Sequence, residues 1–94
     1  MNFYVYLLIT KRLNRYITYV GYTNDINKRL ELHNSSRGAK FTKGKNWKII
    51  FKKKFSFKSL AMKEEYKLKK DYKFRKYLKN KYVLKNENCN ITTI

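Results

Sequence analysis

The sequence predicts an α+β fold: a small three-stranded antiparallel sheet flanked by helices, in ββαβα order. Three observations predict it. Two runs rich in aromatic and β-branched residues, 3–10 and 16–20, are joined by a short polar link, the pattern of a β-hairpin. A cluster of helix-capping residues, Thr23-Asn24-Asp25, follows the second run. A third strand-like run then leads into a long lysine-rich stretch of helical period.

Each element has its own grounds. In the first strand Phe3, Val5, Leu7 and Ile9 share one face, and Tyr4, Tyr6 and Leu8 the other. Residues 11–15 are polar and short enough for a hairpin connection. The second strand covers 16–20 and Gly21 is expected to end it, since glycine tolerates angles and close approaches that other residues do not. In the helix that follows, Ile26 and Leu30 lie one turn apart, as do Asp25 and Arg29, and Arg29 and His33. Residues 34–44 read as a loop. The third strand covers 47–55, with Trp47, Ile49, Phe51 and Phe55 on one buried face. Ser56 or Ser59 is expected to open the longest helix, running to about Lys79 with Phe57, Ala61, Leu68 and Tyr72 on one stripe. Residues 82–94 carry weak signals, for a short strand or a frayed tail. The expected domain is 1–82, with 83–94 as a tail or short extra element.

Composition narrows the function. A chain of 94 residues has room for one domain, and 43% hydrophobic content excludes the disordered class. Cys89 and His33 are the only soft metal ligands, so a four-cysteine or three-cysteine zinc module is excluded. No apolar run approaches the ~20 residues that span a bilayer. The apolar start lacks a basic lead-in, so an intracellular protein (cytoplasm, or nucleus in a eukaryote) with no membrane partner is expected. The formal charge of +18 opposes compaction unless a polyanion neutralises it, and nucleic acid is the first candidate. Lys, Asn, Ile, Tyr and Phe are all abundant, as AT-rich coding produces, so part of the lysine excess needs no partner.

The order of motifs is more specific than the charge. Tyr4-Val5-Tyr6 stands on the first strand and Tyr19-Val20-Gly21 at the end of the second. A capped helix carries Arg29, eight residues after Gly21, and His33. A Gly-Ala-Lys-Phe-Thr loop follows at 38–42, then a helix with Glu64 and Glu65. Across roughly residues 3–80 this resembles the GIY-YIG endonuclease family, and within it the small stand-alone members. Tyr4 stands where the family often has glycine, and Tyr22 where many relatives have lysine.

The resemblance implies a metal-dependent endonuclease acting on nucleic acid, DNA first, with little intrinsic sequence specificity. By similarity Glu65 is the metal ligand for Mg²⁺ or Mn²⁺, a hard cation that accepts one carboxylate and keeps several waters. Arg29 holds the scissile phosphate with its planar fork of donors. Tyr6 and Tyr19 line the site, one of them as general base or water-positioning group. His33 relays a proton or orients the water, and Gly21 lets the backbone approach. Helical periodicity puts Glu64 and Glu65 equally far from the stripe, so only the resemblance selects Glu65. Lys40, Lys43, Lys45, Lys52, Lys53 and Lys54 are the candidate phosphate contacts, which add affinity but little specificity. A non-catalytic basic nucleic-acid-binding protein on the same fold is the alternative.

Overall fold

The computed structural model describes residues 2–42 and 44–91, with side chains through Asn86. The central strand is β1 (Phe3–Arg12). On one side it pairs with β2 (Arg15–Thr23), on the other with β3 (Lys48–Phe55), both antiparallel. Helix α1 (Ile26–Asn34) starts at Asp25, whose carboxylate accepts from the Lys28 amide at 3.1 Å. A single 3-10 turn, Lys40–Thr42, lies in the loop before β3. The chain then forms α2 (Lys58–Lys70) and α3 (Tyr72–Ile91). This is the expected α+β sheet with helices, in ββαβαα order.

Both faces of β1 are covered, so its side chains divide between two cores. Val5 and Leu7 join Val20, Ala61 and Leu68 beneath α2. Tyr6 and Leu8 join Ile26 and Trp47 beneath α1. The alternation expected from the sequence holds along β1, because a strand buried on both faces keeps a period of two whatever covers it.

Three local expectations along the sheet are corrected. The hairpin link shrinks to Leu13 and Asn14, because Arg12 and Arg15 still pair; polarity there marks exposure, not the end of the strand. Gly21 lies inside β2, paired with Tyr6, rather than ending the strand. A bulge opposite Leu7 and Leu8 leaves Ile50 extra in β3, which puts Trp47 and Ile49 on the α1 side and Phe51 and Phe55 on the α2 side. The single face expected for β3 is therefore two.

The expected long helix is broken at Asp71. Its amide ends α2 on the Lys67 and Leu68 carbonyls, while its carboxylate accepts from the Phe74 amide and starts α3. Arg75 ties the joint by donating to the Leu68 carbonyl at 2.9 Å. Neither serine caps α2; Phe57 holds the N-cap position without a side-chain bond. Of the expected stripe, Ala61 and Leu68 are buried, but Phe57, which precedes the first turn of α2, and Tyr72, which lies beyond the break, are 65% and 62% exposed. From Tyr82 the chain is helical to Ile91, not a strand, and residues 92–94 lie outside the described residues.

Candidate active site

The α1 side of the sheet carries a buried polar chain. His33, fully buried in the last turn of α1, points at the sheet. Its Nε2 lies 2.9 Å from the Tyr6 hydroxyl, and its Nδ1 lies 2.8 Å from the Thr42 hydroxyl. The Thr42 hydroxyl in turn donates to the Ala39 carbonyl at 2.8 Å. The loop that brings Thr42 here is clamped from both ends. Trp47 Nε1 donates to the Thr42 carbonyl at 3.0 Å, and the Asn34 side chain holds the Trp47 amide and carbonyl. Among the described residues every buried side-chain polar atom has a partner, as a polar group this deep requires.

Burial sets the protonation of this chain. It pushes His33 down to about 4, with the positive charge of Arg29 adding to the effect. It pushes Tyr6 up to about 12, with Arg29 opposing and the charges of Tyr19 and Glu65 adding. At neutral pH His33 is therefore a neutral imidazole and Tyr6 a phenol. The same influences show that Arg29, Tyr19 and Glu65 all lie within electrostatic reach of the Tyr6 oxygen.

Two glycines make room. A Cβ at Gly21 would sit 2.6 Å from Tyr6 Cζ, so the tyrosine ring lies flat across the β2 backbone where only glycine leaves space. A Cβ at Gly38 would come within 3.0 Å of His33 Cα and Cγ.

Around this chain stand the remaining predicted residues. The Tyr19 ring meets His33 edge-on at 5.1 Å and stacks on Phe41 at 6.1 Å. Arg29 is half-buried on α1, one turn before His33. It borders an open cleft of about 430 Å³ with Phe3, Tyr22, Thr23, Asn24 and Lys58. The two adjacent glutamates separate clearly. The Glu65 side chain is 18% exposed, and its charge acts on Tyr6. The Glu64 side chain is 37% exposed and lines a different groove, with Val5, Phe51 and Phe74.

Among the described residues, the predicted lysines lie on the loop before β3 and on both faces of β3. Lys40 is exposed on the 3-10 turn, and Lys45 donates to the Phe41 carbonyl at 3.0 Å beside the Phe41 ring. Lys52, Lys53 and Lys54 lie on the edge strand β3, where cationic side chains discourage further strand pairing. By register Lys52 and Lys54 share the face of Tyr6 and Tyr4, while Lys53 shares that of Val5. Lys43 lies outside the described residues.

Sequence reading missed Thr42, Gly38, Phe41 and Lys58. The first three belong to the 38–42 loop, which stood out as a motif without roles for its members. Lys58 had no signal among so many lysines.

A sheet carrying two tyrosines opposite a helix with arginine and histidine, and a second helix with a half-buried glutamate, defines a class. The GIY-YIG catalytic domain matches residues 2–83, and the chain belongs to the GIY-YIG family. Within it the chain is similar to small UPF0213 proteins. It is 43% identical over 65 residues to UPF0213 protein OB0043 of Oceanobacillus iheyensis, covering 68% of this chain and 72% of that one. It is 39% identical over 67 residues to UPF0213 protein BH0048 of Halalkalibacterium halodurans, covering 70% and 68%. With UPF0213 protein YazA of Bacillus subtilis it is 49% identical over 49 residues, covering 51% of this chain and 50% of the relative. The solution NMR structure of UPF0213 protein BH0048 from Bacillus halodurans aligns with 34% identity and a TM-score of 0.48, covering 85% and 84% of the two chains. No helix among the described residues is long and apolar enough to cross a membrane.

Proposed function

We propose that this chain is a metal-dependent endonuclease that hydrolyses phosphodiester bonds in nucleic acid, DNA first, with little intrinsic sequence specificity. The observation that carries the reading is the Tyr6–His33–Thr42 chain within charge reach of Arg29 and Glu65. Pure binding of a polyanion has no use for a half-buried carboxylate beside a buried tyrosine–histidine pair. Residues 1–82 are the proposed catalytic unit.

Hydrolysis needs a deprotonated water, and a phenol raised to about 12 does not ionise at neutral pH by itself. A water held at the Tyr6 oxygen gives that oxygen a proton while the Tyr6 proton passes to His33 Nε2. The hydroxide so formed attacks phosphorus, the opposite P–O bond breaks, and the leaving oxygen takes a proton from solvent. Arg29 binds the phosphate oxygens and offsets the charge that builds there. Tyr19 walls the site and packs the imidazole.

The donor set fits a hard divalent cation. Among the described residues no group of three or more His, Cys, Asp or Glu converges on one point. One carboxylate with substrate phosphate and water suits Mg²⁺ or Mn²⁺, and Glu65 is the residue that would hold it. Such an ion would supply charge neutralisation at the phosphate and ease departure of the leaving oxygen.

The test is cleavage of supercoiled, linear and branched DNA and of RNA, with Mg²⁺ or Mn²⁺ and with chelator. Chelation is expected to stop cleavage. Glu65→Gln is expected to cost ~10²-fold or more, on the scale of losing one preorganised electrostatic group, and Glu64→Gln little. Cleavage that survives both substitutions removes the metal assignment. A wild type that binds and never cuts establishes the non-catalytic binder instead.

A further inference from the structure

Thr42 has no assigned role, yet it lies fully buried against the catalytic imidazole. We infer that Thr42 is a positioning residue that fixes the His33 tautomer, placing the ring proton on Nδ1 and leaving Nε2 bare to receive the Tyr6 proton. The inference rests on the proposed reaction for its catalytic consequence, but its geometry stands alone.

A hydroxyl has one proton to give. The Thr42 oxygen lies 2.8 Å from the Ala39 carbonyl oxygen and 2.8 Å from His33 Nδ1. A carbonyl only accepts, and two oxygens at that distance without a proton between them present lone pairs to each other. The Thr42 proton therefore goes to Ala39, and the Thr42 oxygen is left to accept. Its partner Nδ1 must then carry the ring proton. In a neutral imidazole only one nitrogen does, so Nε2 is an acceptor.

The other end of the chain agrees. The Tyr6 hydroxyl, 2.9 Å from Nε2, is also near Arg29, which only donates. The positive charge of Arg29 favours phenol lone pairs turned toward it, which leaves the phenolic proton for Nε2. The opposite tautomer would aim Nε2–H and Arg29 at one phenol oxygen and turn the Tyr6 proton away from the ring. It would also leave the Thr42–Ala39 contact without its proton. The tautomer thus decides whether a proton arriving at Tyr6 has an exit. Thr42 is held for this task by a loop clamp: its amide and hydroxyl both bind the Ala39 carbonyl, and its own carbonyl receives Trp47 Nε1.

His33 is the only histidine, so its ring nitrogens are read without ambiguity by ¹⁵N–¹H correlation spectroscopy at neutral pH. Wild type is expected to show a protonated Nδ1 and a bare Nε2. Thr42→Ser is expected to keep that pattern and the cleavage rate. Thr42→Val keeps the shape and removes the hydroxyl. It is expected to shift the proton toward Nε2 and lower kcat ~10- to 100-fold with little change in KM, the scale for losing an outer partner of a working histidine. A wild-type ring protonated on Nε2 overturns the inference, whether or not Thr42→Val folds. So does a folded Thr42→Val that keeps both tautomer and rate. The expected wild-type tautomer in a chain that cuts nothing would defeat the nuclease reading and leave the tautomer assignment standing. Cleavage with the opposite tautomer would do the reverse.

Discussion

The two faces of the sheet are built from one strand by different rules. On the α2 side, Leu7, Ala61 and Leu68 pack without a polar atom between them, and the contact is non-directional. On the α1 side, Tyr6 is as buried as its neighbours but spends its burial on a directed chain through His33 to Thr42. In the proposed function, adjacent residues of β1, Tyr6 and Leu7, thus serve chemistry and stability respectively. A network of that kind holds one geometry because every member needs its partner, whereas an aliphatic core tolerates repacking.

The comparison breaks most sharply at Tyr6. Tyr6→Phe removes one oxygen and keeps the ring. It is expected to lower the cleavage rate by ~10²- to 10⁴-fold, the range for a positioned acid–base group, measured by single-turnover assay. Its neighbour gives the converse. Leu7→Ala is expected to cost about 2–5 kcal/mol of stability in urea titration, while molecules still folded cut at the wild-type rate. A large rate loss in folded Leu7→Ala would mean the two faces are coupled. Gly21→Ala drives a methyl into the Tyr6 ring and should do both: about 1–3 kcal/mol of stability lost, as for other overpacked sites, with reduced cleavage.

The smallest expected effect is with pH. His33 sits near 4 when folded and at its ordinary 6.5 when unfolded, so the unfolded chain binds more protons between those values. Its contribution to stability is complete above about 6.5 and is lost as pH falls toward about 4. Urea melts at pH 7.5 and 5 are expected to show this fall in wild type, and a shallower one in His33→Gln. Equal slopes would place the pH dependence elsewhere, with the carboxylates.

The sequence was legible where neighbours along the chain decide. The alternation of β1 survived because a pleated strand has a period of two. Asp25 is the cap of α1 because its carboxylate reaches an amide three residues on. Reading failed where one residue changes the count. Ile50 bulges from β3 and reverses the phase of everything after it. Asp71, one acidic residue among lysines, ends one helix and begins the next. Neither event leaves a mark in a hydrophobic pattern, since one comes from strand pairing and the other from a helix cap.

By itself, then, the sequence determined the fold class, the parity of the central strand, and an ordered set of tyrosines, glycine, arginine and glutamate that identified the family. Tertiary structure alone separated the surroundings of Glu64 and Glu65, which periodicity treats alike: one carboxylate acts on Tyr6 and the other lines a separate groove. It also decided that His33 is a buried member of a hydrogen-bonded chain, 27 residues from Tyr6 and 9 from Thr42. Helical spacing sets which side of its own axis a residue faces. What stands opposite depends on how elements distant in sequence pack, and so does any proton path between them.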